Sequence, residues 1–164
     1  MKGEEILPFL FILNINSQFE HMAFIIALLL FLIFLFLSSI HFYWAFGGKW
    51  GSGAVIPTKD DSQTAMNPGI IATLIVAFGL LGFGILPLII SGAIPFQLPN
   101  WLEKSALWII AGIFLIRAIG DFNYVGFFKK RKNTAFGKND TRYYSPLCLV
   151  IGLLALALQW TLAH

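Results

Sequence analysis

The sequence predicts an all-α fold, an integral membrane bundle of four antiparallel transmembrane helices. Of the 164 residues, 58% are hydrophobic and only 12% are charged, and the mean hydropathy is +0.80. A soluble domain of this length could not bury so much apolar surface, whereas a bilayer would cover it. Four apolar segments are long enough to cross about 30 Å of hydrocarbon, and connections rich in glycine, proline or charge separate them.

The first twenty residues precede these segments and are predicted to form an interfacial or loosely ordered extension. Their apolar part, residues 6–13, is too short to span a bilayer. Glu4 and Glu5 outweigh Lys2, and no small-residue cleavage site follows, so a signal peptide is not expected. Residues 21–164 are then predicted to form a single transmembrane domain.

The first two spans differ in composition. The first, about 22–40, is apolar around its whole circumference and leads into HFYWAFGGKWG at 41–51. The aromatic rings of that stretch are of the kind found at headgroup level, and its glycines should end the helix. The second span, about 68–94, contains several glycines and Pro87. It should be kinked and closely approached by a neighbouring helix.

The third span, about 105–124, carries two charged residues near one end. Arg117 and Asp121 are four residues apart, so in a continuous helix they share one face. Three interpretations remain open: an intrahelical or interhelical ion pair that fixes the bundle, an arginine presented to an anionic group and oriented by the aspartate, or a proton relay. The fourth span, about 146–163, begins with a proline and has Ser145 available as its N-cap.

Lysine and arginine are divided unequally between the two ends of the predicted bundle. The connections after the first and third spans hold Lys49, Lys59, Lys129, Lys130, Arg131, Lys132, Lys138 and Arg142. The opposite end holds Lys2 and Lys104. The positive-inside rule then places 41–67 and 125–145 in the cytoplasm and both termini on the outer side of the cell (inner) membrane. Because the basic residues cluster as topology signals do, nucleic-acid binding is not expected.

Four motifs, HFYWAFGGKWG, AVIP, RAIGDFNYVGFFKK and DTRYYSPLCL, follow one another along the chain. In this order they resemble an uncharacterised family of small bacterial four-helix membrane proteins, catalogued as domain of unknown function 3995. The resemblance covers roughly residues 22–160. It implies a multi-pass protein of a bacterial inner membrane, and it implies no reaction.

Several polar and aromatic residues converge on the predicted cytoplasmic end of the bundle. The candidate ligand-binding residues are His41, Trp44, Trp50, Arg117, Asp121, Asn123, Tyr143 and Tyr144. One hypothesis is a binding or accessory protein whose site at the cytoplasmic leaflet holds a lipid-like or anionic amphipathic ligand, or a partner helix. The alternative is a membrane-embedded enzyme acting on a lipid-soluble substrate, with His41 and Asp121 as acid and base and Arg117 as charge stabiliser.

Each candidate residue also has a purely structural interpretation. A histidine in an aromatic belt often bonds a helix, and tryptophans and tyrosines there anchor the protein at the interface. The single cysteine, Cys148, and the lack of an HxxxH pair predict no metal and no cofactor. No familiar catalytic motif is present, so the sequence leaves open whether the protein is an enzyme. Its expected partner is the lipid bilayer, and a homo-oligomer or a membrane partner is compatible with the glycines of the second span.

Overall fold

The computed structural model describes residues 6–51, 58–60, 63–64, 69–121, 123–130 and 134–163. The long helices are α1 (Ile6–Ala45), α2 (Ile70–Ile90), α3 (Asn100–Ile119) and α5 (Ser145–Leu162). A short helix, α4 (Ala135–Asn139), and a π-helical turn (Asp140–Tyr144) lead directly into α5. Two short strands, β1 (Thr58–Asp60) and β2 (Gln63–Thr64), pair antiparallel between α1 and α2. The predicted all-α membrane bundle of four helices is confirmed.

Three segments are long and apolar enough to cross a membrane. They are Ser17–Ala45, Ile70–Ile90 and Phe136–Leu162. The remaining long helix, α3, has 20 residues and is therefore about 30 Å long, but Glu103, Lys104 and Arg117 lie within it. The chain is thus a membrane protein whose third long helix carries charge near both of its ends.

Side chains from three helices meet in the middle of the bundle. The rings of Phe34 in α1, Phe83 in α2 and Phe114 in α3 pack edge to face, with centroids 5.2 to 6.4 Å apart. Nearer the end of α1, the buried hydroxyl of Ser38 donates a hydrogen bond to the carbonyl of Ala77 at 2.8 Å. Since positions later in α1 meet positions earlier in α2, these two helices run antiparallel.

Glycines allow close approach at two helix crossings, as expected for the second span. A Cβ atom at Gly84 would lie 3.0 Å from the Cβ of Phe34, and one at Gly152 in α5 would lie 2.7 Å from the side chain of Leu115. Gly79, by contrast, has no neighbouring atom within 4 Å of such a Cβ. Only some of the glycines therefore serve packing within the bundle.

The ends of two helices differ from the prediction. α1 begins at Ile6, so residues 6–20 of the predicted interfacial or loosely ordered extension are helical, and the apolar span within α1 begins at Ser17. The third helix was predicted over 105–124 but ends at Ile119, because Gly120 has φ +96° and cannot continue a right-handed helix. Asp121 therefore lies outside the helix, which changes the geometry of the candidate site.

Candidate functional site

The candidate site is built around Asp140, the first residue of the π-helical turn. Its carboxylate is fully buried, and it accepts hydrogen bonds from two cationic side chains. Arg117 Nη2 donates to Oδ1 at 2.8 Å, and Lys129 Nζ donates to Oδ2 at 2.9 Å. The Gly126 amide and the Ser145 hydroxyl also donate to Oδ2, at 2.8 and 3.0 Å. We call these five residues the Asp140 cluster.

Lys129 is the most unusual member of the cluster because its side chain is also fully buried. Besides Asp140, its ammonium donates to the Gly126 carbonyl at 3.0 Å and to Thr141 Oγ1 at 2.6 Å. A buried ammonium is stable only when its donors are all satisfied. Three acceptors meet that requirement, so the first lysine of the basic run is an internal structural residue.

A tight backbone contact returns the chain from α3 to the cluster. Gly120 and Gly126 both have positive φ, +96° and +88°, and a Cβ at Gly120 would lie 2.6 Å from the Cα of Gly126. The Phe127 amide then donates to the Ala118 carbonyl at 2.9 Å, closing the loop onto the end of α3. This closure delivers Gly126 and Lys129 to Asp140.

Asp121, an exposed residue, organises the same loop. Its Oδ1 accepts hydrogen bonds from the backbone amides of Asn123, Tyr124 and Val125 at 2.7 to 2.9 Å. Partial burial opposes ionisation of the carboxyl, but the hydrogen bonds from Val125, Tyr124 and Asn123 outweigh it and hold the pKa of Asp121 below its ordinary value. Asp121 is therefore a loop-organising carboxylate.

Of the two kinds of ion pair left open for Arg117, the structure shows one between different segments and not the pair with Asp121. The i, i+4 argument assumed that the helix continues to residue 124, and Gly120 ends it first. Arg117 instead pairs with Asp140, 23 residues later. The bundle-fixing ion pair does exist, but its acid comes from the segment that leads into α5.

Arg117 keeps unused hydrogen-bonding capacity. Its side chain is 32% exposed, and its Nη1 is buried with no hydrogen-bond partner in the described part of the chain. Two cations, Arg117 and Lys129, face the single carboxylate of Asp140. The Asp140 cluster therefore has a net formal charge of +1.

His41, Trp44 and Trp50 belong to a second unit, the aromatic turn, formed by residues 41–51. His41 Nδ1 lies 2.7 Å from the Leu37 carbonyl, so this nitrogen carries the proton and donates within α1. The His41 ring packs edge to face on Trp44, and Trp44 Nε1 donates to the Trp50 carbonyl at 2.8 Å. Tyr43 occupies the space where a Cβ of Gly48 would lie. The aromatic turn and the Asp140 cluster are thus held by separate sets of contacts.

The remaining predicted site residues lie around the cluster. Tyr144 ends the π-helical turn, with its ring 6.1 Å from that of Phe136. Tyr143 is exposed, and the guanidinium of Arg142 lies 5.3 Å from its ring centroid. Asn123 is exposed and contributes its amide to the Asp121 turn. Within the described residues, no group of three or more His, Cys, Asp or Glu residues could hold a metal ion.

The sequence interpretation missed Asp140, Lys129 and Ser145. Asp140 was visible in the motif DTRYYSPLCL as the one carboxylate between residues 129 and 142, where six lysines and arginines are found. A lone acid among so many cations, directly before an apolar helix, could have indicated an internal ion pair. Ser145 was expected to cap α5, but its hydroxyl bonds Asp140 because α5 continues directly from the π-helical turn.

A family model described as "Protein of unknown function (DUF3995)" matches residues 34–155. The chain belongs to this family. The matched region contains both the aromatic turn and the whole Asp140 cluster, so the two units lie within the part of the chain that the family model describes. No curated protein and no solved structure matches the chain. The family description assigns no activity.

Proposed function

We propose that this protein binds the anionic group of a lipid-like or amphipathic ligand, a phosphate or carboxylate, at Arg117. The observation that carries the proposal is the incomplete neutralisation of the Asp140 cluster. It holds two cations against one carboxylate, and Arg117 Nη1 has no partner among the described residues. An arginine fork binds carboxylate and phosphate groups well because it can donate two parallel hydrogen bonds.

Burial makes the surplus charge costly and a complementary anion favourable. A buried polar nitrogen without a partner costs about 1–3 kcal/mol, and more when it belongs to a charged group. Arg117 Nη1 is itself buried, so a ligand would reach it through a small reorientation of the partly exposed side chain. Asp140 holds Nη2 meanwhile, which keeps the guanidinium oriented.

The site is proposed to face the cytoplasmic leaflet, with 41–67 and 125–145 in the cytoplasm and both termini outside. The unequal distribution of lysine and arginine supports this orientation. Lys129 is neutralised inside the cluster, whereas Lys130, Lys138 and Arg142 are exposed. Exposed cations attract an anionic leaflet by about 1 kcal/mol each, which would concentrate anionic ligands near Arg117.

The enzyme hypothesis is not favoured by any specific contact. It requires Asp121 to exchange protons with a substrate, but three backbone amides bond its Oδ1 and its pKa is lowered. A carboxyl group held in this way is a weak base and is rarely protonated near neutral pH. A binding role makes no such demand on Asp121.

The test compares two arginines by the same substitution. Purified protein in a nonionic detergent is titrated with short-chain phosphatidic acid or with phosphatidylcholine of equal chain length, and thermal unfolding is followed. Arg117→Lys retains a charge for Asp140 but loses the planar guanidinium fork that could bond Asp140 and an anion at the same time, so the preference for phosphatidic acid should fall about tenfold or more. Arg142→Lys, at an exposed arginine, should keep the wild-type preference. Equal stabilisation by the two lipids, or an unchanged preference in Arg117→Lys, would refute the proposal.

A further inference from the structure

We infer that the ligand at Arg117 is an anionic lipid of the surrounding bilayer, which reaches the site sideways along the outer face of α3. The inference rests on the proposed function, because it names the source of the anion and the route it takes. Two features of the structure support it. A loop covers the Asp140 cluster at the end of α3, and a row of apolar side chains along α3 is exposed.

The loop closes the cluster at the end of α3. Lys129 and Asp140 are both fully buried, and Gly126 is buried where its backbone meets Gly120. The hydrogen bond from Phe127 to the last turn of α3 fixes this closure. A water-soluble anion that arrives along the helix axis would meet the loop before it meets the guanidinium.

The outer face of α3 is open instead. Ile109, Ile113 and Ile116 follow one another at helical spacing and are 44%, 46% and 69% exposed. Arg117 lies four residues after Ile113, on the same side of the helix. In a membrane protein such a face is turned toward lipid chains. The stripe therefore leads from the apolar region of the bilayer to the partly exposed arginine.

The dimensions of the stripe suit an amphiphile. From Ile109 to Arg117 the helix rises about 12 Å, a length over which a hydrocarbon chain can lie against isoleucine side chains. Arg117 stands at the end of α3 that also leads to the exposed Lys130, where headgroups are expected. Charge complementarity selects the anionic headgroup, and the apolar stripe selects a molecule that carries a chain.

The experiment separates a lipid from a soluble anion. Native mass spectrometry measures retention of long-chain phosphatidylglycerol against phosphatidylcholine with the same chains, and thermal unfolding measures stabilisation by glycerol phosphate in water. Ile113→Trp fills the stripe next to Arg117. Ile75→Trp makes the same change at an exposed position of α2 and is the matched control.

We expect wild type to retain phosphatidylglycerol selectively and to gain no stability from glycerol phosphate. Ile113→Trp should weaken retention of phosphatidylglycerol about tenfold, as loss of about two methylene contacts with the lipid chain would, and Ile75→Trp should not. If glycerol phosphate binds in an Arg117-dependent manner while Ile113→Trp leaves lipid retention unchanged, the proposed function stands and the lateral route is refuted. Selectivity for neither probe would overturn both.

Discussion

The substitution Asp140→Asn tests the centre of the site most directly. It keeps the size of the side chain but removes the charge that two cations share. Breaking a buried ion pair by removing one partner costs about 3–5 kcal/mol, because the other charge stays buried. Lys129 retains two further acceptors, the Gly126 carbonyl and Thr141 Oγ1, and Arg117 is partly exposed. We therefore expect the lower end, about 3 kcal/mol.

The assay is reversible unfolding in mixed micelles as the fraction of denaturing detergent rises. A double-mutant cycle with Lys129→Met isolates the pair, because the double variant no longer contains that buried unpaired ammonium. The loss of unfolding free energy in the double variant should be at least about 1 kcal/mol smaller than the sum of the losses in the two single variants. Lys130→Met, at the exposed neighbouring position, should change stability by no more than about 0.5 kcal/mol. Additive single costs, or an Asp140→Asn variant within about 1 kcal/mol of wild type, would contradict an energetically coupled cluster.

Three further predictions concern the loop and the helix contacts. Gly126→Ala should lower the free energy of unfolding by at least about 2 kcal/mol, since φ is +88° and the new Cβ would meet the backbone of α3. Gly79→Ala, with open space around it, should be neutral or slightly stabilising in the same unfolding assay. Folding lowers the pKa of Asp121. The contribution of this carboxylate to the free energy of unfolding is therefore complete at a pH above its ordinary pKa, and it is lost as the pH falls below about 4. The amides bonded to it should then exchange hydrogen faster, after correction for intrinsic rates, and Asp121→Asn should abolish this pH dependence. Ser38→Ala should cost about 0.6–1 kcal/mol because it removes a buried bond between α1 and α2, whereas Ser39→Ala, at an exposed serine bonded within its own helix, should have almost no effect.

The membrane class and the number of long helices could be predicted because both follow from hydropathy and length. The close helix contact at Gly84 could also be predicted, since small residues in an apolar helix indicate a close neighbour. Helix ends were less predictable. Gly120 is one of many glycines in the chain, and its stop depends on the contact with Gly126, six residues later.

The partner of Arg117 could not be found from helical spacing. Spacing rules identify neighbours within one continuous helix, and they chose Asp121 because it is four residues away. The structure uses the two acids differently: Asp121 organises the loop through backbone amides, and Asp140 receives the charges. The burial of Lys129 could not be predicted either, because a lysine at the start of a basic run is expected at the surface, whereas here it pairs with Asp140 inside the protein.

The two motifs that border the loop are parts of one structure. The segment RAIGDFNYVGFFKK supplies the arginine, the two contacting glycines, the loop-organising Asp121 and the buried lysine, and DTRYYSPLCL supplies Asp140 and Ser145. If the cluster served stability alone, one cation would suffice to neutralise Asp140, and Lys129 already does so with full burial. Arg117 adds a second charge, and its Nη1 has no hydrogen-bond partner among the residues that the structure describes. This surplus of positive charge is the strongest support for the proposal that this end of the bundle binds an anion.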